Sequence, residues 1–208
     1  MRKGQKGLNI YIVDQCFLKN TYDDISLIPT EISRVKTRLE VNIKSSFLGK
    51  ELTVPVVSSP MDTVTGIAMA KELSNSGCIG IVNRFDSSLS ELFSNGNVVE
   101  GIQAVSVSLT TEDLLLEKIA ANNLIVCIDT ANANNAHVLN KCEEIKKKYK
   151  VKVIVGNIAH GGTLKQLVDA GADAVRIGIG GGSVCTTSVQ TGIGIGQVSS
   201  VLDTYFAR

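Results

Sequence analysis

The chain has 208 residues, 44% of them hydrophobic and 20% charged, and a net charge of +1. That length supports one sizeable core, and that composition is ordinary for a globular protein. The near-neutral balance excludes an electrostatic nucleic-acid binder, and no run of about 18 apolar residues is present to span a membrane.

The N-terminus, Met1 to Lys6, is basic, but no apolar signal core follows it. The five cysteines, Cys16, Cys78, Cys127, Cys142 and Cys185, are odd in number and irregular in spacing. They fit neither a disulfide framework nor a zinc site, which points to a reducing, cytoplasmic compartment. Residues 1–50 read as an N-terminal extension and lead-in. Residues 51–208 read as strands one to six of a single domain.

In chain order, the first apolar run is Val54–Ser58 and the second Cys78–Val82. The third is Ile102–Val107. Thr110 with Asp113 then offers a helix cap before Leu114, Leu115 and Ile119. Leu124–Ile128 is the fourth run. Val138, Cys142, Ile145 and Tyr149 mark one face of the helix after it. That helix ends in Lys146-Lys147-Lys148, read as a solvated helix end where cations suit the dipole. Val151–Val155 is the fifth run, followed by a helix carrying Leu164, Leu167 and Val168 that Gly171 can terminate. Ala174–Ile177 is the sixth, and Val198, Val201, Leu202 and Tyr205 belong to a last helix. Cys78 and Cys127 lie inside strands and read as inert core residues.

Continuous apolar strands alternating with helices imply an α/β fold with a parallel sheet buried on both faces. The spacing suits a (β/α)₈ TIM barrel, and no dinucleotide-binding glycine pattern follows the first strand. Only about six of eight units are present, so the expectation is an incomplete, truncated or split barrel. A six-stranded open α/β domain is the alternative.

Working residues of a barrel sit at the C-terminal ends of its strands. Those positions hold Ser58 to Asp62, Asn83-Arg84, Asp129-Thr130, Gly156-Asn157 and the loop Gly178 to Thr187. Hydroxyls, an acid, an amide and a cysteine gather there, above an apolar barrel. The loop is the most telling: glycines let a backbone approach a ligand closely, and Cys185 on it can attack a bound ring. The bland reading is a glycine-rich turn with a bystander thiol. Likewise Asp129 could cap a helix, and Asn157 could satisfy a turn.

The segments Thr21-Tyr22-Asp23-Asp24, Leu27-Ile28-Pro29 and Val57 to Val64 resemble the opening of the IMP dehydrogenase and GMP reductase family. Gly156-Asn157, Ala170 to Gly178, Gly180 to Thr187 and Thr191 to Gly194 resemble its central motifs, in order. The resemblance implies that Cys185 attacks C2 of a 6-oxopurine nucleotide, GMP or IMP, and that Thr187 assists proton transfer. It implies that Ser59 and Met61 line the nucleotide site, Asn157 and Arg176 orient the base, and Ser183 binds the phosphate. Arg84, Asp129, Thr130, Ala131 and Gly180 would meet the nicotinamide cofactor, NADP or NAD. Carbonyls of Gly180, Gly182 and Cys185 would hold a potassium ion. A homo-oligomer, a tetramer by resemblance, or a complementing C-terminal fragment is the implied partner.

The chain departs from the family pattern in three places. Val82 and Ile102 are too close for the regulatory insert of the dehydrogenases, which leans towards GMP reductase. Asn83-Arg84 stands where the family shows His-Lys. The resemblance implies two further units after the sixth, which these 208 residues do not include. Arg176 itself is dehydrogenase-like. Three readings follow: a reductase, a minimal IMP dehydrogenase-like enzyme, or a non-catalytic nucleotide-binding fragment.

Overall fold

A computed structural model describes residues 20–28, 32–86, 92–93, 97–182 and 185–208. The first regular element is a hairpin, β1 (Ser45–Phe47) against β2 (Lys50–Leu52). Leu48 and Gly49 turn it, with φ of 51° and 83°, the two-residue turn whose twist suits a hairpin. Leu-Gly carries little of the Asn-Gly signature, so this pair was not foreseen.

Five strands then lie parallel and in chain order: β3 (Ile81–Val82), β4 (Ala104–Val107), β5 (Ile125–Asp129), β6 (Val153–Ile158) and β7 (Ala174–Ile177). The expected first strand, Val54–Ser58, is a correction: it contributes one isolated parallel bridge, Val57 to Ile79. Pro55 has no N–H to give, and the Val56 amide turns back to the Val54 carbonyl at 2.8 Å. That tight local turn consumes the donor a ladder would use. Ser58 N–H to Ile79 O and Ile79 N–H to Val56 O still hold the segment alongside the sheet as a sixth stave.

Helices α1 (Ile67–Asn75), α2 (Asp113–Ala121), α3 (Ala136–Tyr149) and α4 (Leu164–Asp169) lie between or beside the strands. After β7 come α5 (Thr186–Thr191) and α6 (Gln197–Phe206). Side chains alternate across each strand, so the sheet builds two cores. Outward, Val105, Val107, Val126, Ile128, Val153 and Val155 pack against the helices through Leu116, Ile119, Val138, Cys142, Ile145 and Leu167. Inward, Ile79, Ile81, Ala104, Ile125, Cys127 and Ile154 meet one another. The hairpin closes this inner core with Phe47, Leu48 and Leu52. Each fully buried isoleucine contributes about 1.5–3 kcal/mol. The two-sided burial is why these runs show no polar alternation.

The sheet curls into the arc of a barrel. Its two ends approach so closely that Arg176 of β7 donates from Nη2 to Ser59 Oγ, just past the sixth stave, at 2.8 Å. A gap of about 220 Å³ lined by Val57, Ile81, Ile154 and Val175 separates the same ends lower down.

Two expected helix ends are revised. Glu112 occupies the N-cap position of α2 without a side-chain cap bond, and Thr110 bonds to Ser108 instead. The lysine run is not simply solvated. Lys146 pairs with Asp173 at 2.8 Å, and Lys148 pairs with Asp113. Gly171, at φ 95°, does follow the end of α4 as expected. At the far end of the described chain, the Asn20 carbonyl accepts the Val198 and Ser199 amides that open α6, and Ser199 Oγ accepts the Asn20 amide at 2.9 Å. Among the described residues no helix is long and apolar enough to cross a membrane.

Candidate active site

A cavity of about 400 Å³ opens at the C-terminal ends of the strands. Its walls include Ser59, Met61, Asn157 and Arg176, together with Cys185 and Thr187. Asp129, Thr130, Ala131 and Gly180 line the same space. Arg84 is outside the lining but its Nε lies 3.9 Å from Asp129. Gly182 is exposed and apart from the cavity. Ser183 falls outside the described residues.

Strand register explains how the floor is charged. Asp129, Gly156 and Arg176 are in line on β5, β6 and β7. Arg176 nevertheless donates from Nη1 to Asp129 Oδ1 at 2.6 Å, two strands away. It can do so because Gly156 has no side chain. A Cβ there would stand 2.5 Å from the Arg176 Cβ, a distance at which something must move. The guanidinium is thus shared between Asp129 and Ser59. Below it the Cys127 thiol, deep in the inner core, is pushed up to about 12 by burial.

Loops are held by buried hydroxyls and amides. Thr65 Oγ1 meets Ser58 Oγ and the Ser59 carbonyl, both at 2.8 Å, and so shapes the Ser58 to Asp62 turn. Asn157 donates from Nδ2 to the Gly178 carbonyl at 2.8 Å. Its own amide donates to the Thr130 carbonyl at 3.0 Å, and the Thr130 amide donates to the Gly156 carbonyl at 2.8 Å.

The cysteine loop leaves β7 through Gly178 at φ 113°, where a Cβ would strike the Gln197 side chain. Cys185 then occupies the N-cap position of α5. No side-chain cap bond closes there in this conformation. The nearby Ser188 and Thr187 amides, with the Thr187 hydroxyl and Gly180 amide, hold the thiol below its ordinary pKa. Amide dipoles favour thiolate over thiol.

Two of the carbonyls assigned to potassium, those of Gly182 and Cys185, accept hydrogen bonds within their own loop. Gly182 O accepts the Cys185 amide at 3.0 Å, and Cys185 O accepts Ser188 Oγ at 3.2 Å. A carbonyl that accepts one hydrogen bond keeps a second lone pair, so potassium at these oxygens stays a proposal and no step below is routed through it. Residues facing a nucleotide do fit: a cavity of this size with a carboxylate, an amide, hydroxyls and an activated sulfur suits a polar aromatic ligand.

Phe85 lines the cavity and was missed. Its signal was available: an aromatic next to Asn83-Arg84 at a strand end.

The sequence matches the IMP dehydrogenase / GMP reductase domain over residues 19–94 and 102–207. The chain belongs to this family. It is 35% identical over 199 residues to the GMP reductase of Klebsiella pneumoniae, covering 89% of this chain and 57% of that protein. The GMP reductases of Vibrio campbellii and Aliivibrio fischeri are 33% and 32% identical, with the same shares covered. The chain therefore spans 57% of the length of the curated relatives it matches.

Proposed function

We propose that this chain supplies the cysteine half-site of a purine-nucleotide oxidoreductase that reduces GMP. The observation that carries the reading is Cys185, a thiol on the wall of a cavity that also holds Asp129, Asn157 and Arg176. The sulfur attacks C2 of the purine and makes that carbon tetrahedral. The 2-amino group then leaves as ammonia, which leaves a covalent adduct on Cys185. A reduced nicotinamide nucleotide, when bound, supplies the hydride that reaches C2. Expulsion of the Cys185 thiolate releases IMP.

Each residue of the chain has a part in this reading. Ser59 and Met61 flank the nucleotide, and Asn157 orients the base. Arg176, held by Asp129 and Ser59, fixes the floor against which the base rests. Thr187, beside the sulfur, is placed to move a proton to or from the leaving group. Asp129, Thr130 and Ala131, with Arg84 behind them, face the dinucleotide. NADP is the partner the reductase reading requires, and NAD the one an IMP dehydrogenase would use. A homo-oligomer or a complementing segment would complete the site, and Ser183 would take the phosphate.

The reductase is preferred over the dehydrogenase because the three relatives named above are GMP reductases and no regulatory insert separates Val82 from Ile102. The chain is assayed at the absorbance of the reduced cofactor, alone and with the part of the Klebsiella GMP reductase outside the matched region. Consumption of NADPH with GMP is expected in the mixture. Turnover of IMP with NAD and none of GMP with NADPH overturns the preference. Loss of neither activity on Cys185→Ala would remove the covalent mechanism.

A further inference from the structure

Phe85 is an apolar ring left 55% exposed at the wall of a polar cavity. Lone exposed apolar residues are common and need no explanation. Three observations separate this one from them. The Arg84 guanidinium lies over the ring, 4.0 Å from its centroid, so one face is covered by a cation. What remains exposed is the edge and the opposite face. Arg84 in turn faces an anion: its Nε is buried, lies 3.9 Å from the Asp129 carboxylate, and has no hydrogen-bond partner among the described residues.

The backbone under the ring is also pinned. Asn83 is 1% exposed. It donates from N and Nδ2 to the Thr65 carbonyl, both at 2.9 Å, and its Oδ1 accepts the Phe85 amide at 2.9 Å. A buried amide side chain thus ties the Phe85 turn to the same Thr65 that shapes the Ser58 to Asp62 loop. A rigid ring, backed on one side and open on the other towards a ligand cavity, is what a stacking platform requires.

We propose that Phe85 stacks on a heteroaromatic ring of the nicotinamide dinucleotide, and that Arg84 is the positioning residue that holds it face-on. The choice of the dinucleotide over the purine substrate rests on the reading above, which places Asp129, the partner of Arg84, on the cofactor side.

The chain contains no tryptophan, so Phe85→Trp introduces a single fluorescent reporter at the platform. Its emission is expected to be quenched on addition of NADP⁺ and left unchanged by GMP. Phe85→Ala is expected to weaken binding of NADPH by about tenfold, with Phe85→Tyr close to wild type and Phe85→Leu as weak as alanine. GMP affinity and the thermal midpoint should stay put in all of them, since an exposed ring adds little to stability.

Unchanged NADPH affinity in Phe85→Ala, where wild type binds the dinucleotide, overturns the platform and leaves the functional reading standing. Quenching by GMP alone overturns it as well, by placing the ring on the substrate side. Wild-type protein that binds neither nucleotide, alone or with the complementing part of the Klebsiella GMP reductase, overturns the functional reading and the platform with it.

Discussion

Sulfur atoms in this protein face two opposite environments. Nearby amides lower the pKa of Cys185, whereas Cys127 and Cys142 are buried, which pushes them up to about 12 and about 11. Only thiolate alkylates. At pH 7, iodoacetamide read by mass spectrometry should therefore label Cys185 well before Cys78, Cys127 or Cys142 in folded protein. The pH midpoint for Cys185 should fall below the ~8.5 of a free thiol. Equal labelling of all four would remove the activated nucleophile. Gly156 gives a second expectation at this scale. Gly156→Ala forces its Cβ into the Arg176 Cβ, so the guanidinium must leave Asp129 or the strands must part. A cost of about 1–3 kcal/mol in stability is expected by denaturant titration, with nucleotide binding weakened at the same time. Substitution without either effect would show that the register is looser than drawn.

Among the elements, β6, β7 and α3 share one clasp. Asp173, at the start of β7, accepts the Lys146 ammonium and the Val153 amide on Oδ2, both at 2.8 Å, and Lys152 on Oδ1 at 3.0 Å. Partial burial alone would raise its pKa, but the Lys146, Val153 and Lys152 donors outweigh that and hold the carboxyl below 3.8. A carboxylate depressed on folding stabilises the native state above its unfolded pKa. That contribution is lost as the pH falls through the lower, folded value. Asp173→Asn should cost about 1.5–3 kcal/mol near pH 7 and flatten the decline in stability below pH 4, measured by thermal melts across pH. An unaltered acid limb would assign that decline to other carboxylates. The clasp also shows what sequence reading can and cannot reach. Strands β4 to β6 were visible because burial on both faces leaves runs such as Ile125–Ile128 without polar interruption. The hairpin was not, because its turn is Leu-Gly and its buried residues are few. The lysine run looked solvated because its acidic partners, Asp113 and Asp173, are distant in sequence. At the site, Cys185, Asn157 and Arg176 announced themselves by motif. The Arg176–Asp129 bond depended on register and on the missing Cβ of Gly156, neither of which a linear reading displays.

For the molecule as a whole, the open arc leaves two sheet edges with unequal protection. β7 is half-buried along its length and the Val54–Val57 stave is exposed at Val56 and Val57. Unpaired parallel edges recruit other strands, so light scattering should show the chain self-associating with rising concentration; a monodisperse monomer would mean that the Arg176–Ser59 contact seals the arc. The tie between Asn20 and the start of α6 has a different consequence, one of timing. Its three hydrogen bonds join residues 178 or 179 apart in sequence. Closing a loop that long in an unfolded chain costs about 4–5 kcal/mol, while three such bonds return about 1.5–4.5 kcal/mol. The tie therefore cannot start folding. It waits until the sheet has shortened the loop for it, and during synthesis it waits until the ribosome has released α6. Contacts made after the rate-limiting step appear only in the unfolding rate. Ser199→Ala should accelerate unfolding by about two- to tenfold and leave the folding limb of a chevron where it was; a slower folding limb would place the lead-in and last helix together in the nucleus.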